Sequence, residues 1–527
     1  MLAGKRILVV GGADATALAA ALQAHPGADA ARWVPVADAH ALLDELRARY
    51  VNLIVLDVHD ADALAARAAD ALHALDALDD APDVEDRYAF DRIVVLVPER
   101  ADPRVDDLVL RLGARGVRTI QRGADPDALV ALAGRLLGER KKGRRALCAS
   151  GGGITGLYFH LGALHCLDHC LGGRGVNDFD LYFGISAGAV VTAPLAVGYS
   201  VAEVMAAIAG APGGRLPPMS LRLFRLGNVD APSFVRRAAL AVRTTAAGVW
   251  SALSGRRADD DSLLFDYANL VAAPFRADRF ERMIREALAV PGGTNDFREL
   301  TRPLFVGATD QDTRTHVLFG DEHHADVPIS RAVQASLSIN PAFSATRIGE
   351  RFYEDGAVTR TSNFVEAIRR GATLVVVVDP FVPFVAQAPG FADRRGMLYN
   401  IDQDVRTISY TRYETTRRWV LRQHPEVSAY TFVPQNRVRR LMSVSPMDHR
   451  PYLEVWRGAY LSMFNRLRAI EHRFAGDLAA HGLGFDLARA EAVAERLDRV
   501  IRPTLADFFP DGRVDIPRRP LCREPGA

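Results

Sequence analysis

Cysteine is scarce in this chain. The four present among 527 residues, Cys148, Cys166, Cys170 and Cys522, do not suggest a disulfide framework, and a reducing compartment is the expected home. An excess of either charge is missing too. Lys and Arg number 65 against 64 Asp and Glu, a formal charge of +1. No global field therefore draws the chain toward nucleic acid or an anionic surface, and steering must come from local patches. No apolar run reaches the roughly 18 residues of a spanning helix. Met1 to Gly12 holds a strand-like Arg6–Val10 without the apolar stretch and cleavage site of a signal peptide. The chain is expected in the cytoplasm, at most peripheral to the inner membrane.

What is present is a soluble globular composition, 49% hydrophobic and 24% charged, long enough for about three domains. Three separated segments share a chemical theme. Gly184-Ile185-Ser186-Ala187-Gly188 has the Gly-x-Ser-x-Gly spacing of a nucleophile elbow, a strand-to-helix turn that exposes the Ser hydroxyl. Phe179–Phe183 before it reads as a buried strand and Ala189–Val197 after it as a packed helix. Ser186 then stands at a helix N-terminus, where the backbone dipole favours negative charge on its oxygen.

Ser150-Gly151-Gly152-Gly153-Ile154-Thr155-Gly156 lies between a strand-like Ala146–Ala149 and a helix-like Leu157–Leu171. Backbone N–H groups of Gly151, Gly152 and Gly153 can meet an oxyanion without side-chain obstruction. Phosphate-binding loops share that design, but the run lacks the Gly-Lys-Ser/Thr ending of a P-loop and the spacing of a dinucleotide fingerprint. Asp355 ends a strand at Phe352–Asp355 and is followed by the turn Gly356-Ala357. It can accept the Ser186 proton directly if the two come within about 3 Å. Taken singly, each motif also reads as an ordinary turn; the ordered set is specific.

This set resembles the patatin-like phospholipases, lipid acyl hydrolases with a Ser–Asp dyad, from about Leu147 to Val385. Leu157–Leu164, Phe305–Asp310, Ala332–Pro341 and the Gly371–Val378 segment fit the same pattern. The resemblance implies a three-layer α/β hydrolase core with Ser186 as nucleophile, Asp355 as base and Gly151–Gly153 as oxyanion hole, acting on lipid esters or phospholipids without metal or cofactor. Two departures stand out. Ile154-Thr155 offers no cation where most relatives carry Arg or Lys, and Asp-Gly-Ala replaces Asp-Gly-Gly. The first keeps open a catalytically weak lipid-binding or signalling scaffold, and the same nucleophile would also permit an acyltransferase.

Residues 1–140 show a separate βα alternation, with strands at Ile7–Val10, Trp33–Val36, Leu53–Leu56, Ile93–Val97 and Val117–Ile120. Such alternation predicts a flavodoxin-like, doubly wound parallel sheet. Asp57 after the third strand makes it look like a response-regulator receiver domain, with Asp57 as candidate phosphoacceptor. Gly11-Gly12 stand where such domains place acidic metal ligands, and Val97-Pro98 and Gln121-Arg122 replace the switch hydroxyl and Lys. A degenerate module that binds a protein partner is expected, with helix capping as the plainer role for Asp57.

A basic linker at 141–145 then leads into a hydrolase domain at 146–390. That domain carries a helical insertion at about 212–275, where residues 221–257 combine apolar groups with Arg236 and Arg243. That pattern fits either a peripheral membrane contact or an ordinary amphipathic helix packed on the core. Cys166 and Cys170, beside His165 and His169, are read as buried thiols rather than a metal site. From 391 to 527 a mainly helical extension is expected, with helices at Arg406–His424, Tyr452–Phe474 and Leu487–Ile501. Its basic clusters are too narrow for nucleic acid.

Overall fold

In the computed structural model the chain is described throughout except at residues 1, 3–4, 29–30, 50, 82–91, 101, 139–142, 220, 222–234, 236–238, 240–241, 244, 247–249, 251–274, 341, 425, 444–448 and 525–527. It forms two compact units. One comprises Met1–Lys142 with Arg418–Ser428 and Leu467–Gly482; the other comprises Gly143–Arg417 with Ala429–Arg466 and Leu483–Ala527.

The first unit holds β1 (Arg6–Val10), β2 (Arg32–Val36), β3 (Leu53–Asp57), β4 (Ile93–Val97) and β5 (Thr119–Arg122). All pairings are parallel, in the order β2-β1-β3-β4-β5, which is the flavodoxin-like doubly wound order. Alternation within the strands feeds two cores. Leu8, Val10, Ile54, Leu56, Val95 and Val97 pack with the helices Ala39–Ala48, Leu64–Asp79 and Pro103–Ala114. Ile7, Val9, Leu53, Val55, Val94 and Leu96 pack with Gly12–Ala24 and Pro126–Gly138. Both faces are covered, so the central strands β1, β3 and β4 read as near-continuous apolar runs. The fifth strand begins two residues later than expected: Val117 is buried ahead of it, in the link from the preceding helix.

The second unit is built on an eight-stranded sheet made of β6 (Arg144–Ala149), β7 (Leu181–Ile185), β8 (Leu304–Asp310), β9 (His316–Phe319), β10 (Thr346–Ile348), β11 (Arg351–Asp355), β12 (Ala372–Val378) and β13 (Ser428–Phe432). Its order is β10-β11-β8-β7-β6-β12-β13, with β9 paired to β8. Strands β12, β6, β7 and β8 run parallel through the middle, fully buried except at Arg144 and Arg145 where β6 begins; β11 joins β8 antiparallel. Register matters here. Ile185 lies opposite Gly307, and the next residue of β8, Ala308, lies opposite Asp355. The end of β7 and the end of β11 are thereby brought level across one intervening strand.

The C-terminal region is not helical alone, since β13 extends the sheet beside β12. The helix expected from Arg406 starts earlier, at Met397, directly after Gly396 with φ 80°. The helix expected over Tyr452–Phe474 is broken at Ile470 into Tyr452–Ala469 and Glu471–Ala480. Among the described residues no helix is long and apolar enough to cross a membrane. The basic linker (apart from 143–145) and most of the insertion, Arg236 included, lie outside the described residues. Val242, Arg243 and Trp250 are helical positions within that insertion, and Val242 and Trp250 are exposed.

Candidate active site

Ser186 sits at the N-cap of the helix Ala187–Val197 with φ 52° and ψ −122°. A non-glycine residue with positive φ is strained unless its surroundings hold it, and the surroundings here do so. Its N–H donates to Ser336 Oγ (2.7 Å), and that hydroxyl donates in turn to the Gly307 carbonyl (2.6 Å). The flanking glycines are required by packing. A Cβ on Gly188 would lie 2.1 Å from the Ala149 carbonyl oxygen, and one on Gly184 would lie 2.3 Å from Thr192 Oγ1. The elbow is pressed against both the glycine-loop strand and its own helix.

Asp355 is 2% exposed. Its Oδ1 accepts the Ala357 N–H at 2.8 Å, and the Ser186 side chain stands close enough to act on the carboxylate. Burial raises its pKa to about 7; Ser186 and the Ala357 N–H pull the other way, and the nearby Glu354 charge pushes it further up. Burial prevails because a desolvated carboxylate with few donors favours its neutral form. A carboxyl poised near neutrality beside a hydroxyl is suited to accept and return a proton. Its strand end is tied down by Thr309 Oγ1, which donates to the Asp355 carbonyl at 3.0 Å.

The glycine loop flanks both groups. A Cβ on Gly151 would lie 3.5 Å from Ser186 Cβ and 3.6 Å from Ala357 Cβ. Gly152 (φ 145°) and Gly153 (φ 68°) turn the chain into the helix Gly153–Cys170. The first N–H groups of a helix have no intrahelical acceptor, so this end presents donors and the positive end of the dipole near the Ser186 hydroxyl. Ile154 and Thr155 are buried in the first turn, so their lack of charge suits their position.

Sequence reading missed the support beneath this loop. Ser150 Oγ donates to Asp379 Oδ1 at 2.5 Å, its N–H donates to the Val378 carbonyl at 3.1 Å, and its carbonyl accepts from His160 Nε2 at 2.7 Å. Asp379 is fully buried, and burial raises its pKa to about 6 against the hydrogen bonds from Ser150 and the Phe381 N–H. Its position after the Val-rich β12 was the one available signal. Ser336 lay within a noted segment without an assigned role; nothing in its spacing identified it as the residue behind the elbow.

The remaining residues stand apart. Asp57 is 5% exposed at the end of β3, where Oδ1 accepts from His59 N–H (3.2 Å) and meets His59 Nδ1 (2.5 Å). It caps no helix: the next one, Leu64–Asp79, has Ala63 at its N-cap. Cys166 and Cys170 are buried, and burial pushes the Cys166 thiol well up. His165 Nε2 bonds to the Phe508 carbonyl (3.0 Å) and His169 Nδ1 to Tyr460 Oη (2.7 Å). A cavity of about 330 Å³ lies at this end of the glycine-loop helix, lined by His165, His169, Arg174, Arg489 and Arg519 among others. Twelve residues of helix, about 18 Å at 1.5 Å per residue, separate His165 from Gly153, so this cavity is not where the hydroxyl and carboxyl meet.

Comparison with known proteins agrees with the motif set. Residues 147–368 match the family described as patatin-like phospholipase. No curated protein matches the chain. Among solved structures, VipD from Legionella pneumophila aligns at 15% identity over 67% of this chain and 74% of its own, with a TM-score of 0.26. The type III effector protein ExoU aligns at 15% identity over 70% and 69%, with a TM-score of 0.25. Full-length ExoU in complex with SpcU, from the type III secretion system of Pseudomonas aeruginosa, aligns at 14% identity over 68% and 63%, with a TM-score of 0.27. The elbow, the glycine loop and the Asp355 turn all fall inside the matched segment, so residues 147–368 of this chain are similar to the patatin-like phospholipase family.

Proposed function

We propose that the chain is a serine acyl hydrolase of lipid carboxylic esters, of the phospholipase A or esterase type, with Ser186 as nucleophile and Asp355 as general base. The observation behind this reading is a buried carboxyl, its pKa raised to about 7, with the Ser186 side chain close enough to act on it. With the ester carbonyl between Ser186 and the Gly151–Gly153 amides, Asp355 takes the hydroxyl proton as Oγ attacks. Negative charge on the former carbonyl oxygen meets the loop N–H groups. Collapse expels the alcohol, which takes the proton from Asp355 and leaves an acyl-Ser186. Water, deprotonated by Asp355, then attacks the acyl carbon and releases the acid. Each step uses only these residues and water, so no metal or cofactor is called on. Residues 1–142 are read as a receiver-like module that binds a protein partner.

The test is a fluorophosphonate probe together with a soluble short-chain ester, applied to wild type, Ser186→Ala and Asp355→Asn. Labelling and turnover confined to wild type are expected. Turnover retained in Ser186→Ala would remove the nucleophile assignment. A folded wild type that neither labels nor turns over would favour a lipid-binding scaffold.

A further inference from the structure

The first half of the long helix Met397–Gln423 is amphipathic in the wrong sense, whereas Tyr413 and Val420 further along are buried in the usual way. A helix on a soluble protein ordinarily turns its apolar stripe inward. Here Arg406 (1% exposed) and Ser409 (3%) face inward, whereas Met397, Ile401, Val405 and Ile408 are 71%, 48%, 42% and 66% exposed. Their spacing of four, four and three residues puts them on one stripe.

The inner face has a clear use. Arg406 Nε donates to Asp402 Oδ2 (2.8 Å), Nη1 donates to the Pro380 carbonyl (3.3 Å), and the guanidinium lies 4.6 Å over the Phe381 ring. Gln403 Oε1 accepts the Phe384 N–H (2.8 Å). These bonds hold the loop that follows β12, whose Pro380 would lie 3.0 Å from a Cβ on Gly152. No comparable bond explains the outer stripe.

That stripe leads to the candidate site. One turn beyond Ile408, Arg412 donates to the carbonyls of Val358 (3.3 Å) and Ala357 (3.4 Å), in the turn directly after Asp355. Val358 is itself 44% exposed. Arg360 stands close enough to depress the Arg412 pKa, a shift caused first by desolvation. Among the described residues neither Arg360 nor Arg412 has a carboxylate partner. Exposed Arg394 and Arg395 stand at the opposite end of the stripe. Two exposed acids lie beside it, Asp404 at its edge and Asp393 next to Arg394.

An exposed apolar stripe with cations at both ends, reaching the turn of a lipid-ester site, fits one occupant best. We propose that the outward face of Met397–Ile408, with Arg360 and Arg412, docks on an anionic phospholipid bilayer and brings the substrate surface to Ser186. This rests on the hydrolase reading and adds how that site meets an insoluble substrate. It is distinct from the contact expected through 221–257.

The test uses full-length Ser186→Ala protein, which cannot consume the vesicles. Sedimentation with phosphatidylcholine vesicles containing a quarter phosphatidylglycerol is compared with pure phosphatidylcholine. Ile401→Glu with Ile408→Glu should lower partitioning to the anionic vesicles by about tenfold or more, since both side chains would carry charge into the interface. Arg360→Gln should reduce the preference for anionic over neutral vesicles by several-fold. In the Ser186 background the double Glu variant should hydrolyse a soluble short-chain ester at the wild-type rate, which also shows that it is folded. Unchanged partitioning in the double variant would overturn the proposal. So would a protein that ignores vesicles but forms a dimer the Glu variant dissociates, which would make this face a protein interface. If wild type fails on the soluble ester while partitioning falls as expected, the hydrolase reading fails and the docking face stands.

Discussion

Both sheets end a strand on a buried carboxyl, and the two differ in the partner that the topology delivers. Asp57 closes β3 and meets His59, its own neighbour two residues on. Asp355 closes β11 and likewise takes the backbone N–H of its neighbour two residues on, Ala357. The side chain of Ser186, which stands 169 positions earlier in the chain (355 − 186), is also close enough to lower the pKa of Asp355. In the first sheet parallel strands alternate with helices and no nucleophile reaches the strand end among the described residues. In the second, antiparallel β11 lies on β8, which in turn lies on β7, and the elbow and the carboxyl arrive level. A strand-end Asp is common property; its chemistry depends on what the register brings opposite.

The sharpest way to break the contrast is to remove one member of the pair. Ser186→Ala should lower ester turnover roughly ten-thousandfold or more with an unchanged circular dichroism spectrum. Asp355→Asn should cost roughly a thousandfold. In wild type, kcat/KM should fall about tenfold per pH unit below about 7, because only the ionised carboxyl accepts the proton and its pKa lies near there. A flat profile between pH 5 and 8 would contradict the role of Asp355.

Support residues sharpen it further. Ser336→Ala leaves the Ser186 N–H and the Gly307 carbonyl without the hydroxyl between them, and should cost about 1–3 kcal/mol of stability together with part of kcat. Urea unfolding and ester kinetics would measure both, and an effect on neither would mean that the elbow is held otherwise.

Asp379 offers a test with a defined sign. Its folded pKa of about 6 lies above the ordinary carboxylate value, so between about pH 4 and 6 the folded state binds the proton that the unfolded state has released. Stability from this group is present below about pH 4 and declines as pH rises through 6. Asp379→Asn removes that decline, so its melting temperature relative to wild type should climb from pH 4 to 6 and then level off. A constant difference would show that Asp379 does not titrate there.

The smallest effect is expected in the other unit. Asp57→Asn should leave ester turnover within about twofold of wild type, since its partner is His59 and not the hydrolytic pair.

Much of this was legible before any coordinates. Ser186, Asp355 and the glycine run could be singled out as candidates because acyl chemistry would need those residue types at those spacings, and glycines such as Gly184 and Gly188 mark contacts that a Cβ would obstruct. The parallel strands of both sheets could be read because strands buried on both faces are apolar runs. Other features were not legible. Ser336 and Asp379 act through single hydrogen bonds to residues 150 and 229 positions away in sequence, and no local pattern records a partner at that separation. The helix from Met397 was placed nine residues late, because a helix with Arg406 inside and Ile401 and Ile408 outside defeats the apolar periodicity by which helices are read.

Local sequence thus determined which elements form and which residues could react, because propensity and spacing act over a few positions. Tertiary structure alone decided that the end of β11 at Asp355 lies level with the elbow at Ser186 while Asp57 meets His59, and which side of the long helix faces outward. Those outcomes depend on strand order, register and burial, which set the distances and the dielectric surroundings of groups far apart in the chain.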